Sequence, residues 1–278
     1  MTPFDFTLIA FAASLVAGLL GSLLGLGGGI IITPVLTLFL GVPIQYAIGA
    51  SIISVIATSS GAAAAYVKQH MTNLRLAISL SVATTAGALT GAYLNGLFQQ
   101  RWLFILFGVI LGYSALMMLR RHGPPPTTTA PDYLADKLQL HDHYFDATEH
   151  REIHYRVTRT PLGLLLMYIA GVVSGLLGIG SGALKVPALD LAMRLPFKVS
   201  TATSNFMMGI TAAASAGLFF ARGQINPFIA APVSVGVLCG AVVGAKLLNR
   251  IRSKNIRTVF IAVLLLISGQ MIFKGIYS

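Results

Sequence analysis

The most restrictive feature of this 278-residue sequence is a repeat, in which the second half copies the first at a distance of 153 residues. The shift places Gly25-Leu26-Gly27-Gly28-Gly29 on Gly178-Ile179-Gly180-Ser181-Gly182 without a gap. Further matches join Gly18 to Gly171, Pro34 to Pro187, Pro43 to Pro196, Ser51 to Ser204, Asn73 to Asn226, Gly87 to Gly240 and Gly91 to Gly244. Duplicated apolar units with a break near the start of each are typical of transporters that bind their substrate between two repeats.

The composition is that of a protein that crosses a membrane several times, with 55% hydrophobic and 10% charged residues. None of the apolar stretches shows a two-residue alternation, so helices are predicted. The stretches lie at residues 6–24, 29–41, 45–66, 75–97, 102–119, 162–178, 182–193, 198–220, 227–248 and 256–274. We therefore predict an all-α polytopic membrane protein with 8–10 membrane segments.

One long polar stretch divides the chain into three parts. We predict a first transmembrane repeat at residues 1–119, a cytoplasmic linker at 120–160 and a second transmembrane repeat at 161–278. Prolines and threonines at 124–129 indicate a stiff start to the linker. Apolar residues on both sides of a polar turn favour a small β-hairpin further along it.

Positive charge sets the orientation of the predicted helices, because cytoplasmic loops carry an excess of Lys and Arg. The central stretch contains six such residues, and the loop at 249–257 contains four. With both loops in the cytoplasm, the N- and C-termini lie outside, in the periplasm. Each repeat then crosses the membrane an odd number of times, so the two repeats have inverted topology.

The same count requires residues 161–193 to enter and leave the membrane on the cytoplasmic side. Their second apolar piece, 182–193, has about twelve residues and spans roughly 18 Å of a 30 Å core. Each repeat is therefore predicted to contain a glycine-broken hairpin and three transmembrane helices. A re-entrant hairpin and two short spanning helices both fit.

The glycine runs are predicted to be unwound, because each glycine costs about 1 kcal/mol in a helix. A helix that starts inside the membrane offers free N–H groups and a positive dipole end, which favour an anion. Close helix packing by small residues is the alternative. The candidate substrate contacts in and next to these runs are Gly27, Gly28, Gly29, Thr33, Gly180, Ser181 and Gly182.

Lys185 is the most unusual single residue, because it stands in an apolar segment where the first copy has Ile32. A lysine at the bilayer centre costs about 2.5–3.5 kcal/mol on insertion scales. We predict that Lys185 pairs with the charge of a substrate. A structural pair with Asp190 and snorkelling to the cytoplasmic surface are the alternatives.

Hydroxyl and amide groups at the start of the third helix of each copy are further candidates for the substrate site. Ser51 and Ser204 superpose in the repeat, and Asn205 follows the latter where the first copy has Ile52. Such groups donate to oxyanion oxygens without a fixed charge. Hydrogen bonding between helices is the alternative.

Several function classes are excluded or disfavoured. The net charge of +11 lies almost wholly between the apolar segments, so it sets topology and does not predict nucleic-acid binding. Cys239 is the only cysteine, which excludes an intrachain disulfide and a metal thiolate cluster. Five of the six histidines lie between residues 122 and 154, where strands would spoil the i, i+4 spacing of a metal site. Motifs of hydrolases and ATP-driven pumps are absent, so neither an enzyme nor a cofactor is expected.

The paired motifs Gly25-Leu26-Gly27-Gly28-Gly29 and Gly178-Ile179-Gly180-Ser181-Gly182, with their following prolines, resemble the TauE/SafE sulfite exporter family. The resemblance covers nearly the whole chain. It implies ATP-independent movement of sulfite, sulfonates such as sulfoacetate, or thiosulfate across the bacterial inner membrane. An anion channel and a non-transporting membrane partner protein are the alternative functions.

The expected partners are therefore a small anionic substrate and the lipid bilayer. The coupling ion, a proton or sodium, is left open, as is a homodimer.

Overall fold

The computed structural model describes residues 2–95, 97, 99–120, 132–178, 180–248 and 250–277. Among these residues, eight helices are long and apolar enough to cross a membrane, which confirms an all-α polytopic membrane protein. The predicted stiff linker start at 124–129 lies outside the described residues. The helices are α1 (Pro3–Leu24), α2 (Gly29–Pro34), α3 (Ile44–Lys68), α4 (Leu74–Asn95), α5 (Gln100–Arg120), α6 (Tyr133–Lys137), α7 (Thr160–Leu177), α8 (Gly182–Pro187), α9 (Phe197–Ala221), α10 (Pro227–Leu248) and α11 (Ser253–Tyr277).

The sequence repeat is also a repeat of secondary structure. Helices α8, α9 and α10 begin and end 153 residues after α2, α3 and α4. A π-helical turn follows each short helix, at Val35–Phe39 and at Ala188–Ala192, with the same offset. Each short helix and its π turn together contain eleven residues. Such a segment is about 16 Å long, roughly half of the hydrocarbon core.

The second repeat begins with a hairpin whose two ends meet. Helix α7 begins at Thr160 and ends at Leu177. After the glycine break, α8 and its π turn return the chain toward the start of α7. At the end of this segment the carbonyl oxygen of Met193 accepts hydrogen bonds from the backbone N–H and the hydroxyl of Thr158, at 3.3 and 3.4 Å. The first limb of the hairpin is itself long enough to span the membrane, whereas the second limb is not.

Contacts between the repeats are exchanged in pairs. Helix α1 packs on α10, and its counterpart α7 packs on α4. Helices α3 and α9 pack on each other, as do α5 and α11. Gly49, near the start of α3, lies against Gln224 after the end of α9, whereas Ser59 further along α3 donates to the carbonyl oxygen of Asn205. The two helices therefore run antiparallel, as two repeats of inverted topology require.

Glycines set the close approach of the exchanged pairs. A side-chain carbon on Gly91 of α4 would collide with the backbone of Val172 and Leu176 in α7. Gly240 of α10 faces the carbonyl oxygen of Leu15 in α1 in the corresponding way. Small residues that let backbones approach are the usual means of helix packing in membranes.

We expect Gly91→Ala to lower the free energy of unfolding by about 1–3 kcal/mol, because helix backbones cannot move aside as a flexible side chain can. The matched control is Gly269→Ala in α11, where a new methyl group meets open space and helix propensity favours alanine by up to about 1 kcal/mol. Unfolding of the purified protein in detergent micelles measures both changes. Equal effects of the two substitutions would contradict this packing argument.

The linker folds as α6 and a two-stranded antiparallel hairpin, β1 (Asp142–Asp146) and β2 (Arg151–Tyr155). It contacts both repeats. Lys198 at the start of α9 forms a buried ion pair with Asp146 at 2.8 Å. Asn73, before α4, donates to the carbonyl oxygen of Leu140 at 2.7 Å. The linker therefore lies on the membrane face where α4, α7 and α9 begin.

Candidate functional site

The two glycine breaks, residues 25–28 and 178–181, meet where α3 and α9 cross. Gly27 and Gly180 both lie against Val55 of α3 and Met208 of α9, which are themselves repeat partners. Gly182 faces the backbone of Gly25 and Leu26. The structure thus brings the predicted glycines of both repeats to one place. Ile179 of the second break lies outside the described residues.

Backbone conformation explains why glycine occupies the breaks. Gly25 ends α1 in the left-handed region at φ 69°, and Gly178 ends α7 in the same way at 65°. Gly27 and Gly180 are also left-handed, at 73° and 77°. Residues with a side chain rarely adopt this conformation. An exception stands at Ser181, with φ 56°, where the first repeat has Gly28 in a right-handed conformation.

The two predicted serines each bond the break of the other repeat. Ser51 of α3 donates to the carbonyl oxygen of Gly178 at 2.8 Å. Ser204 of α9 donates to the carbonyl oxygen of Gly25 at 3.0 Å. In this conformation their hydroxyl protons serve hydrogen bonds between helices, which is the alternative that the sequence left open. The serines hold the carbonyl end of each broken helix on a helix of the opposite repeat.

The start of α2 has amide groups available to a ligand. Gly28 donates its N–H to the hydroxyl of Thr58 at 3.1 Å. No hydrogen-bond acceptor is present for the N–H groups of Gly29 and Ile30 within the described part of the chain. The hydroxyl of Thr33 is engaged in its own helix, where it donates to the carbonyl oxygen of Gly29 at 3.0 Å.

Lys185 is fully buried, and its ammonium group donates to the hydroxyl of Thr211 in α9 at 3.0 Å. That hydroxyl contacts the hydroxyl of Thr84 in α4 at 3.3 Å. The described residues include no carboxylate within ion-pair distance of Lys185. Asp190 instead pairs with Arg257 of α11 at 2.8 Å. Pairing with Asp190 is therefore wrong as an account of Lys185, and so is snorkelling, since none of its surface is exposed.

All predicted site residues are buried. The hydroxyls, the amide and the glycines of the breaks lie together, whereas the ammonium of Lys185 points further along α9 toward Thr211. Asn205 donates to the carbonyl oxygen of Ser22 at 2.8 Å, at the end of α1. The groups predicted to contact a substrate are therefore all inside the protein.

The family to which this arrangement belongs is decided by a match over most of the chain. The family described as sulfite exporter TauE/SafE matches residues 10–271. The chain belongs to the TauE/SafE family. It is a membrane transporter and not an enzyme, in agreement with the expectation from the sequence.

Several proteins similar to this chain are named as probable membrane transporters. The probable membrane transporter protein YunE of Bacillus subtilis (strain 168) is 30% identical over 277 residues, covering 97% of this chain and 98% of that protein. A probable membrane transporter protein of Xylella fastidiosa (strain 9a5c) is 31% identical over 84% of this chain and 82% of its own length. Another from Methanocaldococcus jannaschii is 24% identical, covering 90% and 89%. No solved structure matches the chain.

Sequence reasoning missed the threonine that bonds Lys185 in this TauE/SafE protein. Thr211 is the repeat partner of Thr58, and the two hydroxyls accept from Lys185 and from the Gly28 amide respectively. Following the 153-residue shift past Asn205 would have found both. The partner of Lys198 had no such signal, because Asp146 lies in the linker and has no counterpart in the repeat.

Three linker histidines that the structure describes make ordinary surface contacts. His141 bonds Asp136 at 2.8 Å and accepts from the N–H of Val157 at 3.1 Å. His143 stacks on His154 with ring centroids 5.2 Å apart. No group of three or more potential metal ligands occurs in the part of the chain that the structure describes.

Proposed function

We propose that this TauE/SafE protein is a secondary transporter of small sulfur-containing oxyanions. The substrates would be sulfite, sulfoacetate or other organosulfonates, or thiosulfate, moved across the bacterial inner membrane by alternating access. The family description supplies the sulfur oxyanion class. The observation that carries the proposal is the buried ammonium of Lys185 without an anionic partner among the described residues.

A buried charge is stable only when something compensates it. The hydroxyl of Thr211 stabilises the ammonium of Lys185 but brings no negative charge. An oxyanion beside Lys185 would supply that charge and would also accept hydrogen bonds from the hydroxyls of Thr211 and Thr84. The cost of burying the Lys185 ammonium is then uncompensated only while the substrate is absent.

The start of α2 supports the same ligand class. The N–H groups of Gly29 and Ile30 have no acceptor within the described chain, and they lie at the positive end of a helix that begins at the first break. Buried amides of this kind favour an anion. The candidate anion contacts are Gly27, Gly28, Gly29, Thr33 and Ser51 in the first repeat, and Gly180, Ser181, Gly182 and Lys185 in the second. Ser204 and Asn205, the other two residues predicted from the sequence, bond the carbonyl end of α1 instead.

Alternating access is supported by the antiparallel contacts of α3 with α9 and by the burial of every candidate residue. A site closed on both sides must open to one side at a time for the ion to pass. In the proposed orientation the linker faces the cytoplasm and both termini face the periplasm. A homodimer is compatible with this arrangement, since each protomer contains a whole site.

Uptake of radiolabelled sulfite and sulfoacetate into proteoliposomes tests the proposal. We expect uptake that saturates with substrate and responds to an imposed ion or pH gradient. An anion channel would instead pass current that does not saturate at low concentration. Exclusion of both anions at every gradient would refute the sulfur oxyanion transporter.

A further inference from the structure

We propose that the carbonyl end of α1 and the facing surface of α9 form a site for Na⁺. Its ligands would be the carbonyl oxygen of Gly25, the hydroxyls of Thr201 and Ser204, and the side-chain oxygen of Asn205. As the coupling ion of transport, this site rests on the function proposed above. As a binding site, it stands on the contacts of these residues alone.

The side-chain amide of Asn205 forms hydrogen bonds through its nitrogen only, among the described residues. Its nitrogen donates to the carbonyl oxygen of Ser22 at 2.8 Å and to that of Thr201 at 3.2 Å, which fixes the amide against the last turn of α1. Its oxygen has no hydrogen-bond partner within the described chain, although the whole residue is buried. A buried acceptor without a donor is unfavourable, so a ligand that takes up this lone pair would be bound.

Thr201 supplies a second oxygen in the same condition. It stands one helical turn before Asn205, on the same face of α9, and its backbone lies against Gly25. Its hydroxyl is buried and also lacks a partner among the described residues. Ser204 completes the surface through its hydrogen bond to the carbonyl oxygen of Gly25. Thr201, Ser204 and Asn205 of α9 therefore all lie against the end of α1.

The first repeat shows that these polar groups are not needed to hold a break. Helix α3 of the first repeat contacts the second break, where Ser51 makes the same bond that Ser204 makes to the first break. At the positions of Thr201 and Asn205, however, α3 has Ile48 and Ile52. Both isoleucines pack directly against Gly178. The same backbone geometry is thus stabilised by apolar contact alone. Two buried polar side chains at one break only, each with an oxygen unsatisfied, indicate a ligand.

The charge of the ligand follows from its surroundings. The carbonyl end of a helix carries partial negative charge and attracts a cation, and broken transporter helices bind coupling ions in this way. The buried acidic residues of the described chain, Asp146 and Asp190, are already paired with Lys198 and Arg257. The proposed ligands are neutral oxygens, and a singly charged ion suits such a set better than Ca²⁺ or Mg²⁺, whose sites usually include carboxylates.

The position of the site on α9 explains how Na⁺ would favour the anion. Thr211, which holds Lys185, lies six residues after Asn205 and so about 9 Å along the same helix. A cation at Asn205 and an anion at Lys185 would attract each other through a region without bulk water. Binding of one ion would therefore strengthen binding of the other.

Thermal unfolding of the purified wild-type protein in detergent, without a sulfur anion, tests binding directly. We expect NaCl to raise the unfolding midpoint by about 5 °C or more relative to choline chloride of equal ionic strength, once Na⁺ exceeds its dissociation constant about 100-fold. No difference between the two salts would overturn the site and would leave water as the occupant.

Two substitutions locate the ion. Asn205→Ile installs the residue that the first repeat already has at this position, and it should weaken Na⁺ binding at least about tenfold. Thr201→Ser keeps the hydroxyl oxygen at the second ligand position and should retain the Na⁺ response. The control Ile52→Leu changes the matching position of the other repeat and should leave the response as in wild type. An unchanged response in Asn205→Ile, or a lost one in Thr201→Ser, would overturn the assignment.

The transport measurement separates this proposal from the preceding one. In proteoliposomes we expect a Na⁺ gradient to drive wild-type sulfite uptake and to have no effect on uptake by Asn205→Ile. If wild-type protein binds Na⁺ but moves no sulfur anion, the anion proposal fails and the Na⁺ site stands. If it moves sulfite equally well in choline, the coupling role fails while the transporter stands.

Discussion

Replacing Lys185 by methionine is expected to reduce sulfite uptake at least about 30-fold. The bound anion would lose the ammonium group that balances its charge, and leaving a buried charge unpaired costs roughly 2 kcal/mol or more. The same substitution should leave the free energy of unfolding unchanged or raise it. Lys185 is fully buried and bonds only the hydroxyl of Thr211 among the described groups. Methionine fills a similar volume and buries no charge. The folded protein therefore loses one hydrogen bond to Thr211 but no longer bears the cost of a buried ammonium group.

The matched control is Lys246→Met, which makes the same chemical change at an exposed position of α10. We expect it to leave uptake as in wild type. Unfolding in micelles and uptake into proteoliposomes should be measured on both variants. Lys185→Met protein that is well folded and transports normally would remove Lys185 from the substrate site, whereas lost folding would assign it a structural role.

The architecture of this protein could be predicted from its sequence because the deciding signals are local or periodic. Apolar length identifies the spanning helices, and the 153-residue shift reproduces the bounds of α8, α9 and α10 from those of α2, α3 and α4. The short apolar piece after each break was long enough for only about half of the core, as the two short helices with their π turns are.

Partners across the fold could not be predicted in the same way. Lys185 and Asp190 are close in sequence, yet Asp190 pairs with Arg257 of a distant helix and Lys185 bonds Thr211. Ser51 and Ser204 matched in the repeat, but nothing in the sequence told that each would bond the break of the opposite repeat. Such choices depend on which helices cross, and the hydrophobic pattern of a single helix does not contain that information.

The contacts of the linker bear on any movement of one repeat relative to the other. It is bonded to both repeats, through Lys198 of α9 and through Asn73 before α4. If the two repeats move relative to each other during transport, the linker must either follow one of them or release a contact. The ion pair of Asp146 with Lys198 is the attachment that is most costly to break from one side, because both side chains are almost fully buried.

We therefore expect Asp146→Asn to destabilise the docked hairpin by about 3–5 kcal/mol, since it leaves the Lys198 ammonium buried without its counter-charge. The double variant Asp146→Asn with Lys198→Met should recover a large part of that loss. Hydrogen exchange of residues 142–155 measures the docking. The control Glu149→Gln breaks only the exposed pair with Arg151 and should change protection little.

The same pair predicts how docking depends on pH. Burial alone would raise the pKa of Asp146, but the hydrogen bonds from Lys198 and Thr148 and the charge of Lys198 lower it from 3.8 to about 2. Because the folded pKa is depressed, the stabilisation is complete above the unfolded value and is lost as the pH falls through the folded one. Hairpin protection should thus stay constant from neutral pH to about pH 4 and fall between about pH 4 and pH 2. In Asp146→Asn this acid transition should vanish, and a transition that persists there would assign it to another carboxylate.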